Sequence, residues 1–535
     1  MNESVQSTGD SAPRTPASPL PPPRRLPSVP QDVLHRFGAR VLDPSTAVRV
    51  PGQPPYRSTV YVADRLIING DADDATRAAL AQAAEQNGVR LVYEEGDREP
   101  RSHSAARAAG LDGRTDLFST VVDLVPTGDG PATPPNAWQV LQTFRTILGR
   151  DAASINAVAL DHLMAATAGP DIGGNPFIGG HAAGGASDQY GTPGYGGRAP
   201  VDWVGPEPTR CPDEKWTGRR PVVAVLDTGV GRHPWLGPDI VTKNPTVNGT
   251  PIGLQDPSTD PELTGVVDDP YEGTLDSDSG HGTFIAGLIR QKCPDANIVA
   301  VRVMSSDGAV AERELLDALK LLVVRQHAAQ ATGDLANMID VVCLSLGYYH
   351  EQPEDITFDP VLLDPLRALG ECGVAVVVSA GNDATSREMF PAAFAPHEGG
   401  EVASYDPDCI PVLSVGALNP NRTVALFSNA GDWVTCHRPG AAVVSTFPVT
   451  FDAGQQPLVR VFVPGDGWRE TIDPDSFHAG FGTWSGTSFS APILAGEIMQ
   501  AMVDGDCGPL DAIEPAATLD RAWKAIAKTT QVTRP

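Results

Sequence analysis

The chain of 535 residues is too long for one ordinary domain, and its apolar fraction of 41% is enough to build a large core. Its formal net charge of −27 argues against nucleic acid as a partner, because phosphate binding requires clustered Lys and Arg. No stretch reaches the roughly 20 apolar residues of a membrane-spanning helix, so no membrane partner is expected.

Residues 1–55 are rich in Pro and lack apolar periodicity, which predicts a disordered tail. Residues 1–30 contain no continuous apolar segment of the kind found in secretory signals. We therefore expect a cytoplasmic protein, with export by another route left open.

The cysteine pattern supports the same expectation. Seven cysteines are scattered along the chain without a CxxC pair, and an odd number leaves at least one unpaired in a monomer. Free, mostly buried thiols in a reducing compartment are therefore predicted.

Residues 56–168 alternate between strand and helix patterns. The predicted strands are Val60–Ala63, Leu66–Ile68, Val89–Tyr93, Leu117–Val125 and Ile155–Leu160, and the predicted helices are Asp74–Gln86 and Ala137–Leu148. Two successive βαβ units of this size predict a small ferredoxin-like α+β domain. The glycine-rich residues 169–215 that follow predict a flexible linker.

Residues 216–535 predict an α/β domain with a parallel sheet flanked by helices. Near-continuous apolar runs predict buried strands at Val222–Leu226, Ile298–Val303, Ile339–Leu346, Val374–Ser379 and Val412–Val415. Helices are predicted to begin at His281, at Glu312, at Pro360 with Asp359 as the N-cap, and at Ser488. Residues 450–483 break the alternation and predict an inserted hairpin or loop.

Three short motifs carry the chemistry. Asp227 ends a predicted strand, His281 lies between two glycines, and Ser488 follows Gly-Thr and precedes Pro492. A serine hydroxyl is a weak nucleophile that needs a base within hydrogen-bond reach, and the base in turn needs an orienting group. Each residue alone reads as an ordinary cap or turn, but the three together predict an acyl-transfer site.

The order Asp, His, Ser and five further motifs resemble the subtilisin-like serine proteases (subtilases, peptidase S8 family). The further motifs are Leu344-Ser345-Leu346-Gly347, Ser379-Ala380-Gly381-Asn382, Phe390-Pro391-Ala392-Ala393-Phe394, and Phe427-Ser428-Asn429 with Pro439-Gly440. Two positions depart from the family pattern: Phe284 stands where a second His is common, and Phe489 where Met is frequent. Neither position belongs to the triad.

The resemblance implies a serine endopeptidase that cleaves protein or peptide substrates through an acyl-enzyme intermediate. It makes Ser488 the nucleophile, His281 the general base, Asp227 the group that orients His281, and Asn382 an oxyanion-hole donor. It also implies a set of substrate-binding residues: Ser345, Leu346, Gly347, Ser379, Ala380 and Gly381. No cofactor and no catalytic metal is required, and structural calcium is left open because the sequence shows no firm ligand spacing.

Some alternatives remain at the level of sequence. The amino-terminal domain is either a pro-domain that acts as an intramolecular inhibitor, as in many subtilases, or a stable accessory domain. The whole chain could be a latent or inactive pseudo-protease that binds peptides, although all four site residues are present. An acid-active peptidase of the sedolisin kind is disfavoured, because those enzymes use Glu where this chain has His281.

Overall fold

The computed structural model describes residues 29–49, 55–70, 72–94, 99–128, 133–149, 155–166, 186–203, 205–268, 270–352 and 361–535. Within these ranges no helix has the length and apolar character needed to cross a membrane. All seven cysteines are free, as expected, and Cys293, Cys343, Cys372 and Cys507 are buried.

The amino-terminal domain is built on four antiparallel strands and three helices. Its strands are β2 (Val60–Ile68), β3 (Val89–Tyr93), β4 (Thr120–Pro126) and β5 (Val158–Ala166), and its helices are α2 (Asp74–Gln86), α3 (Arg101–Ala108) and α4 (Ala137–Leu148). The spatial order β5-β2-β4-β3, with α2 and α4 as the crossovers, is the ferredoxin-like arrangement. The predicted α+β class is therefore confirmed.

The two faces of this sheet have different partners because successive side chains of a strand point to opposite sides. Leu66 and Ile68 of β2 pack with α2 and α4 in the core of the amino-terminal domain. Ile67, between them, joins the large core of the following domain. The sheet is thus covered on one side by its own helices and on the other by the rest of the chain.

The prediction of disorder for residues 1–55 is wrong for part of that range. The chain forms α1 (Gln31–Phe37) and β1 (Ala39–Val41), and β1 pairs antiparallel with β2. Val33 and Leu34 of α1 are buried against Leu163 and Ala309, so a short apolar segment too small to show periodicity is ordered by tertiary contacts. Residues 1–28 lie outside the described part.

The second domain is built on a seven-stranded parallel sheet. In spatial order its strands are β17 (Cys436–Pro439), β16 (Val412–Leu418), β15 (Ala375–Ser379), β13 (Val341–Leu344), β7 (Val222–Asp227), β11 (Asn297–Arg302) and β8 (Val241–Lys243). Its helices are α5 (Pro261–Thr264), α6 (His281–Lys292), α7 (Glu312–Thr332), α8 (Leu363–Glu371), α9 (Thr487–Val503) and α10 (Pro515–Thr529). Val223 and Val225 face α6 and α9, whereas Ala224 and Leu226 face α7 and α8. The predicted parallel sheet with helices on both faces is confirmed.

Helix α8 begins at Leu363, later than predicted. The expected N-cap Asp359 and first-turn Pro360 lie outside the described residues, and Pro365 is instead accommodated in the first turn of the observed helix.

Short strands complete the chain. They are β6 (Ala199–Pro200), β9 (Thr246–Val247), β10 (Thr250–Pro251), β12 (Ala309–Ala311), β14 (Leu346–Gly347), β18 (Val443–Thr446), β19 (Arg460–Val463), β20 (Gly467–Glu470) and β21 (Phe481–Trp484). Residues 450–483 contain the hairpin β19–β20, and β18 and β21 pair on either side of this insertion.

The end of the predicted linker is not a free segment. Within residues 169–215, β6 pairs with β21, and Ser485 Oγ donates a hydrogen bond to the carbonyl oxygen of Gly196 at 2.7 Å. Arg198 donates to backbone carbonyls of the segment before His281, including those of Asp276 and Ser277. The glycine-rich composition predicted a flexible linker. Composition gives no information about contacts to backbone atoms, and such contacts hold this segment in place.

Candidate active site

Asp227 is the last residue of β7 and lies at the carboxyl edge of the parallel sheet, where α/β proteins commonly place their sites. Its side chain is buried, and its Oδ1 accepts hydrogen bonds from the Thr228 N–H and from Nδ1 of His281, both at 2.8 Å. The carboxylate is thereby fixed in position with one oxygen aimed at the imidazole.

His281 is the first residue of α6, and both neighbouring glycines are required by close contacts. Gly280 has a φ of +89°, and a Cβ on it would lie 2.7 Å from the ring of Phe447. A Cβ on Gly282 would lie 2.0 Å from the carbonyl oxygen of Gly229. The Gly-His-Gly motif therefore lets the start of α6 sit directly against the end of β7.

Burial and the Asp227 carboxylate have opposite effects on the pKa of His281. Burial disfavours the imidazolium, but the adjacent Asp227 carboxylate outweighs that effect and raises the pKa of His281 above its ordinary value. Nδ1 is held by Asp227, while Nε2 is buried and has no hydrogen-bond partner among the described residues.

Ser488 is the second residue of α9, at the amino-terminal and electropositive end of that helix. Its Oγ lies 3.5 Å from the carbonyl oxygen of Ser345. The ring of Phe489, the next residue, lies 5.4 Å from the His281 ring, centroid to centroid. The structure thus brings the Ser488 and His281 segments into contact.

Pro492 lies inside α9, beyond the first turn of the helix. Proline lacks the N–H that would bond to the carbonyl four residues earlier, which is that of Ser488. The Ser345 hydroxyl donates to this carbonyl at 3.0 Å and satisfies it. Ser345, predicted to bind substrate, therefore also has a structural contact with the Ser488 backbone.

Asn382 is oriented by the residue before Ser488. Its Oδ1 accepts hydrogen bonds from the backbone N–H and the hydroxyl of Thr487, both at 2.9 Å. Its Nδ2 is buried and has no partner among the described residues. This amide therefore presents a free donor next to the start of α9.

The segment before Asn382 is held rigidly. Ser379 ends β15, and the Ala380 carbonyl accepts from Asn429 Nδ2 at 3.0 Å. Gly381 has a φ of +102°, and a Cβ on it would lie 2.3 Å from the Asn429 amide nitrogen. Only glycine fits this approach.

Leu346 and Gly347 form β14, which pairs antiparallel with the end of β5 from the amino-terminal domain, Leu346 with Ala166 and Gly347 with Ala165. On its other side, β5 pairs with β12. The N–H of Ala166 donates to the carbonyl of Gly308 at 2.8 Å. The last strand of the amino-terminal domain thus lies between two strands of the second domain, one of which was predicted to bind substrate.

Sequence reasoning missed Glu262 of α5, which is buried behind the pair formed by Asp227 and His281. Its carboxylate accepts hydrogen bonds from Thr228 Oγ1 at 2.6 Å, from the Gly280 N–H at 3.1 Å and from the Thr283 hydroxyl. Burial raises its pKa to about 7. Its only sequence signal is that both Thr partners lie in the Asp227 and His281 motifs.

Sequence reasoning also missed a buried ionic cluster between the two domains. His162 of β5 contacts Glu312 through Nδ1 at 2.7 Å and Glu351 through Nε2 at 2.9 Å. Arg145 of α4 lies 3.7 Å from Glu351, and the ring of Tyr348 stacks on His162. Two cationic side chains of the amino-terminal domain meet two carboxylates of the second domain.

Two groups of side chains in the described residues bring potential metal ligands within 4.8 Å of one another. The first is His162, His350 and Glu351, where the imidazole nitrogens of His162 already contact carboxylates. The second is Asp452, Asp473 and Asp475, on the insertion. Neither group includes Asp227, His281 or Ser488.

Comparison with known proteins adds family evidence. A sequence model of the subtilase family matches residues 218–504. Serine protease AprX of Bacillus subtilis (strain 168) is 26% identical over 52% of this chain and 56% of its own length. Minor extracellular protease Epr of the same organism is 27% identical over 33% of this chain and 24% of its own length.

Intracellular serine protease of Paenibacillus polymyxa is 25% identical over 43% of this chain and 60% of its own length, so the chain spans less than two thirds of each of these three relatives. A crystal structure of a cold adapted subtilisin-like serine proteinase is 21% identical, with a TM-score of 0.32, over 58% of this chain and 85% of that one.

Proposed function

The chain belongs to the subtilase family, and from that premise we propose that it is a serine endopeptidase that hydrolyses peptide bonds through an Asp227-His281-Ser488 triad. The observation that carries the proposal is the state of His281. Its Nδ1 is held on a buried carboxylate, and its Nε2 has no partner among the described residues. A base oriented on one side and free on the other is what proton transfer from a serine requires.

In the proposed reaction, Ser488 Oγ attacks the carbonyl carbon of the scissile bond and its proton passes to His281 Nε2. The imidazolium then protonates the leaving amine as the C–N bond breaks, which leaves an acyl-enzyme ester on Ser488. Water attacks this ester and gives a proton to His281, which passes it to Ser488 Oγ as the ester C–O bond breaks and the acid is released. Asp227 stabilises the imidazolium throughout.

We assign the oxyanion hole to Asn382 Nδ2 and the backbone N–H of Ser488. Two features support the assignment: the Asn382 amide has an unpartnered donor, and its Oδ1 is fixed by Thr487, adjacent to Ser488. Donors fixed in advance need no reorganisation as charge develops on the carbonyl oxygen.

We propose that peptide substrates bind as an added strand along Leu346 and Gly347, with the rigid Ser379, Ala380 and Gly381 segment lining the cleft. Backbone pairing of this kind gives affinity that depends little on side chains. The pairing of β14 with β5 supports this proposal, since it shows that the edge of β14 accepts an antiparallel strand.

The same pairing supports the amino-terminal domain as an intramolecular inhibitor. Ala165 and Ala166 occupy the backbone positions of β14 that a substrate would use, and an added strand cannot pair with an edge that is already paired. We propose that the described arrangement is a latent one, in which β5 must leave before a protein substrate can bind.

The cytoplasmic location stays a proposal. It is supported by the seven free cysteines, because unpaired thiols are typical of reducing compartments.

The proposed chemistry is tested with a fluorophosphonate probe, which labels activated serines without needing the natural substrate. We expect labelling of the wild-type chain and its loss in Ser488→Ala. Ser490→Ala is a matched control, because Ser490 lies in the same helix but its Oγ is directed to the carbonyls of Arg438 and Pro439. Labelling that persists in Ser488→Ala would overturn the assignment, and none in the wild type at any pH would mean either a latent chain held shut by its amino-terminal domain or a binding protein in a protease fold.

A further inference from the structure

The insertion that carries the β19–β20 hairpin has an acidic group at its base. Asp452 lies on the leg that leads into the hairpin, and Asp473 and Asp475 lie on the leg that leads out. One carboxylate oxygen from each residue lies within 4.8 Å of one from the others. The three carboxylates therefore converge from two chain segments on one position.

Asp475 is the buried member of this group, with a relative exposure of only 4%. Its Oδ2 accepts the backbone N–H of Gln455 at 2.9 Å, which ties the two legs together. Its Oδ1 is buried and has no hydrogen-bond partner in the described residues. A buried carboxylate oxygen without a partner costs free energy unless a cation or a donor satisfies it.

Little positive charge is available within the protein to balance the group. Among the described residues no Lys or Arg forms an ion pair with these aspartates; His478 Nε2 lies 3.9 Å from Asp452, and Arg198 interacts with Asp475 only at longer range. Three carboxylates that lie this close together repel one another, and a cation would relieve that repulsion.

The chemistry of the donors selects the cation. All three ligands are carboxylates, which hard divalent cations prefer, and Asp473 and Asp475 stand two residues apart, a spacing that puts two carboxylates on one ion. The legs are irregular, and Asp452 is half exposed, so water can complete a coordination shell of six to eight oxygens. A flexible site with carboxylates and water suits Ca²⁺ better than Mg²⁺, which requires a nearly ideal octahedron.

We propose that Asp452, Asp473 and Asp475 bind one calcium ion that clamps the two legs of the insertion. The ion neutralises most of the charge of the group and gives Asp475 Oδ1 its missing partner. None of the three ligands belongs to the triad, and the bound ion would hold the two legs of the insertion together.

The clamp would act on the wall behind the catalytic histidine. The Phe477 N–H bonds to the Phe451 carbonyl at 2.9 Å, so the residues next to the ligands already join the two legs. Phe477 stacks on Phe447 with ring centroids 4.2 Å apart, and Phe447 stacks on Trp484. The Trp484 ring meets the His281 ring edge-on at 5.7 Å. Calcium binding therefore stabilises the aromatic packing that supports His281.

The test uses the full chain with Ser488→Ala, so that autolysis and peptidase activity do not affect the readout. After removal of metals with EDTA, calcium binding is measured by titration calorimetry, and thermal unfolding is followed with and without CaCl2. Asp475→Asn and Asp452→Asn are compared with the matched control Asp466→Asn, an exposed aspartate in the turn of the same hairpin.

We expect one fewer calcium ion, or an affinity at least about tenfold weaker, in both ligand variants and an unchanged result in Asp466→Asn. The calcium-dependent rise in Tm should shrink in the same two variants. Asp452→Asn keeps the test valid if Asp475→Asn fails to fold, because Asp452 is half exposed. Equal stoichiometry and affinity in all chains, or a site that prefers Mg²⁺ to Ca²⁺, would overturn the proposal. Because no readout depends on peptidase activity, failure here leaves the proposed function untouched.

Discussion

Two buried histidines of this chain, His281 at the sheet edge and His162 at the domain interface, have opposite hydrogen-bond arrangements. His281 has one carboxylate on Nδ1 and an Nε2 without a partner in the described residues. His162 has a carboxylate on each nitrogen, Glu312 and Glu351. The first is arranged to exchange a proton, and the second is arranged to keep one.

The charges around His162 explain why it keeps its proton. Burial alone would lower its pKa, but the two glutamates outweigh burial and raise the pKa to about 10. The neighbouring His350 behaves oppositely, because burial lowers its pKa to about 3 and leaves it neutral. With Arg145 also beside Glu351, two positive and two negative groups balance inside the interface. The two buried histidines thus differ in how many ring nitrogens are held: one in His281, the proposed base, and both in His162.

The largest expected effect separates the two histidines by activity. His281→Ala should lower the rate of fluorophosphonate labelling, and kcat/KM on a peptide substrate, by about 10⁴-fold or more, because Ser488 loses its base. Circular dichroism and thermal unfolding check that the variant is folded, and His35→Ala, an exposed histidine of α1, is the matched control. A loss smaller than tenfold would remove His281 from the proposed triad.

A second substitution distinguishes the two histidines by their contribution to the free energy of unfolding. His162→Gln, made in the Ser488→Ala chain, leaves Glu312 and Glu351 buried without the cation that contacts both of them. Breaking a buried ion pair in this way costs about 3–5 kcal/mol, measured as the free energy of unfolding in urea.

Adding Glu312→Gln to His162→Gln should recover part of that loss, since it removes one of the two uncompensated charges. His35→Ala should change stability by no more than about 0.5 kcal/mol. If His162→Gln behaves like His35→Ala, the interface cluster contributes nothing to docking.

The contrast also shows how far the sequence could lead. His281 was predictable because its backbone needs two glycines, and such close contacts leave a mark in the sequence. Asn382 and Ser488 were singled out because each lies in a short motif that resembles the family, and their roles stay predictions. The parallel sheet followed from apolar runs such as Val222–Leu226, since a strand buried on both faces has no polar side.

His162 left no such mark. It lies next to Asp161 in an otherwise apolar strand, and its partners Glu312 and Glu351 are 150 and 189 residues away in the chain. Nothing local distinguishes it from an ordinary strand residue. The same limit hid Glu262, and it hid the ordered parts of residues 29–49 and 186–215, whose contacts are made with distant segments.

The smallest expected effect depends on pH and tests whether the charge of His162 strengthens docking of the amino-terminal domain. His162 has an ordinary pKa of 6.5 when released and one of about 10 when docked, so docking of the amino-terminal domain takes up a proton between these values. The contribution to docking is fully present below pH 6.5 and is lost as pH rises through about 10, by up to about 1.4 kcal/mol per pH unit. Inhibition by β5 should therefore weaken under alkaline conditions.

Labelling of Ser488 measures this release, but deprotonation of His281 also raises the labelling rate as pH increases, so a single profile mixes the two. The ratio of the rates of His162→Gln and wild type isolates His162, because both chains contain the same His281. At pH 7 the variant should be labelled faster, since its domain docks more weakly, and the ratio should fall toward one as pH approaches 10. A ratio that stays constant over this range would mean that β5 is held by backbone pairing alone and that the charge of His162 plays no part in latency.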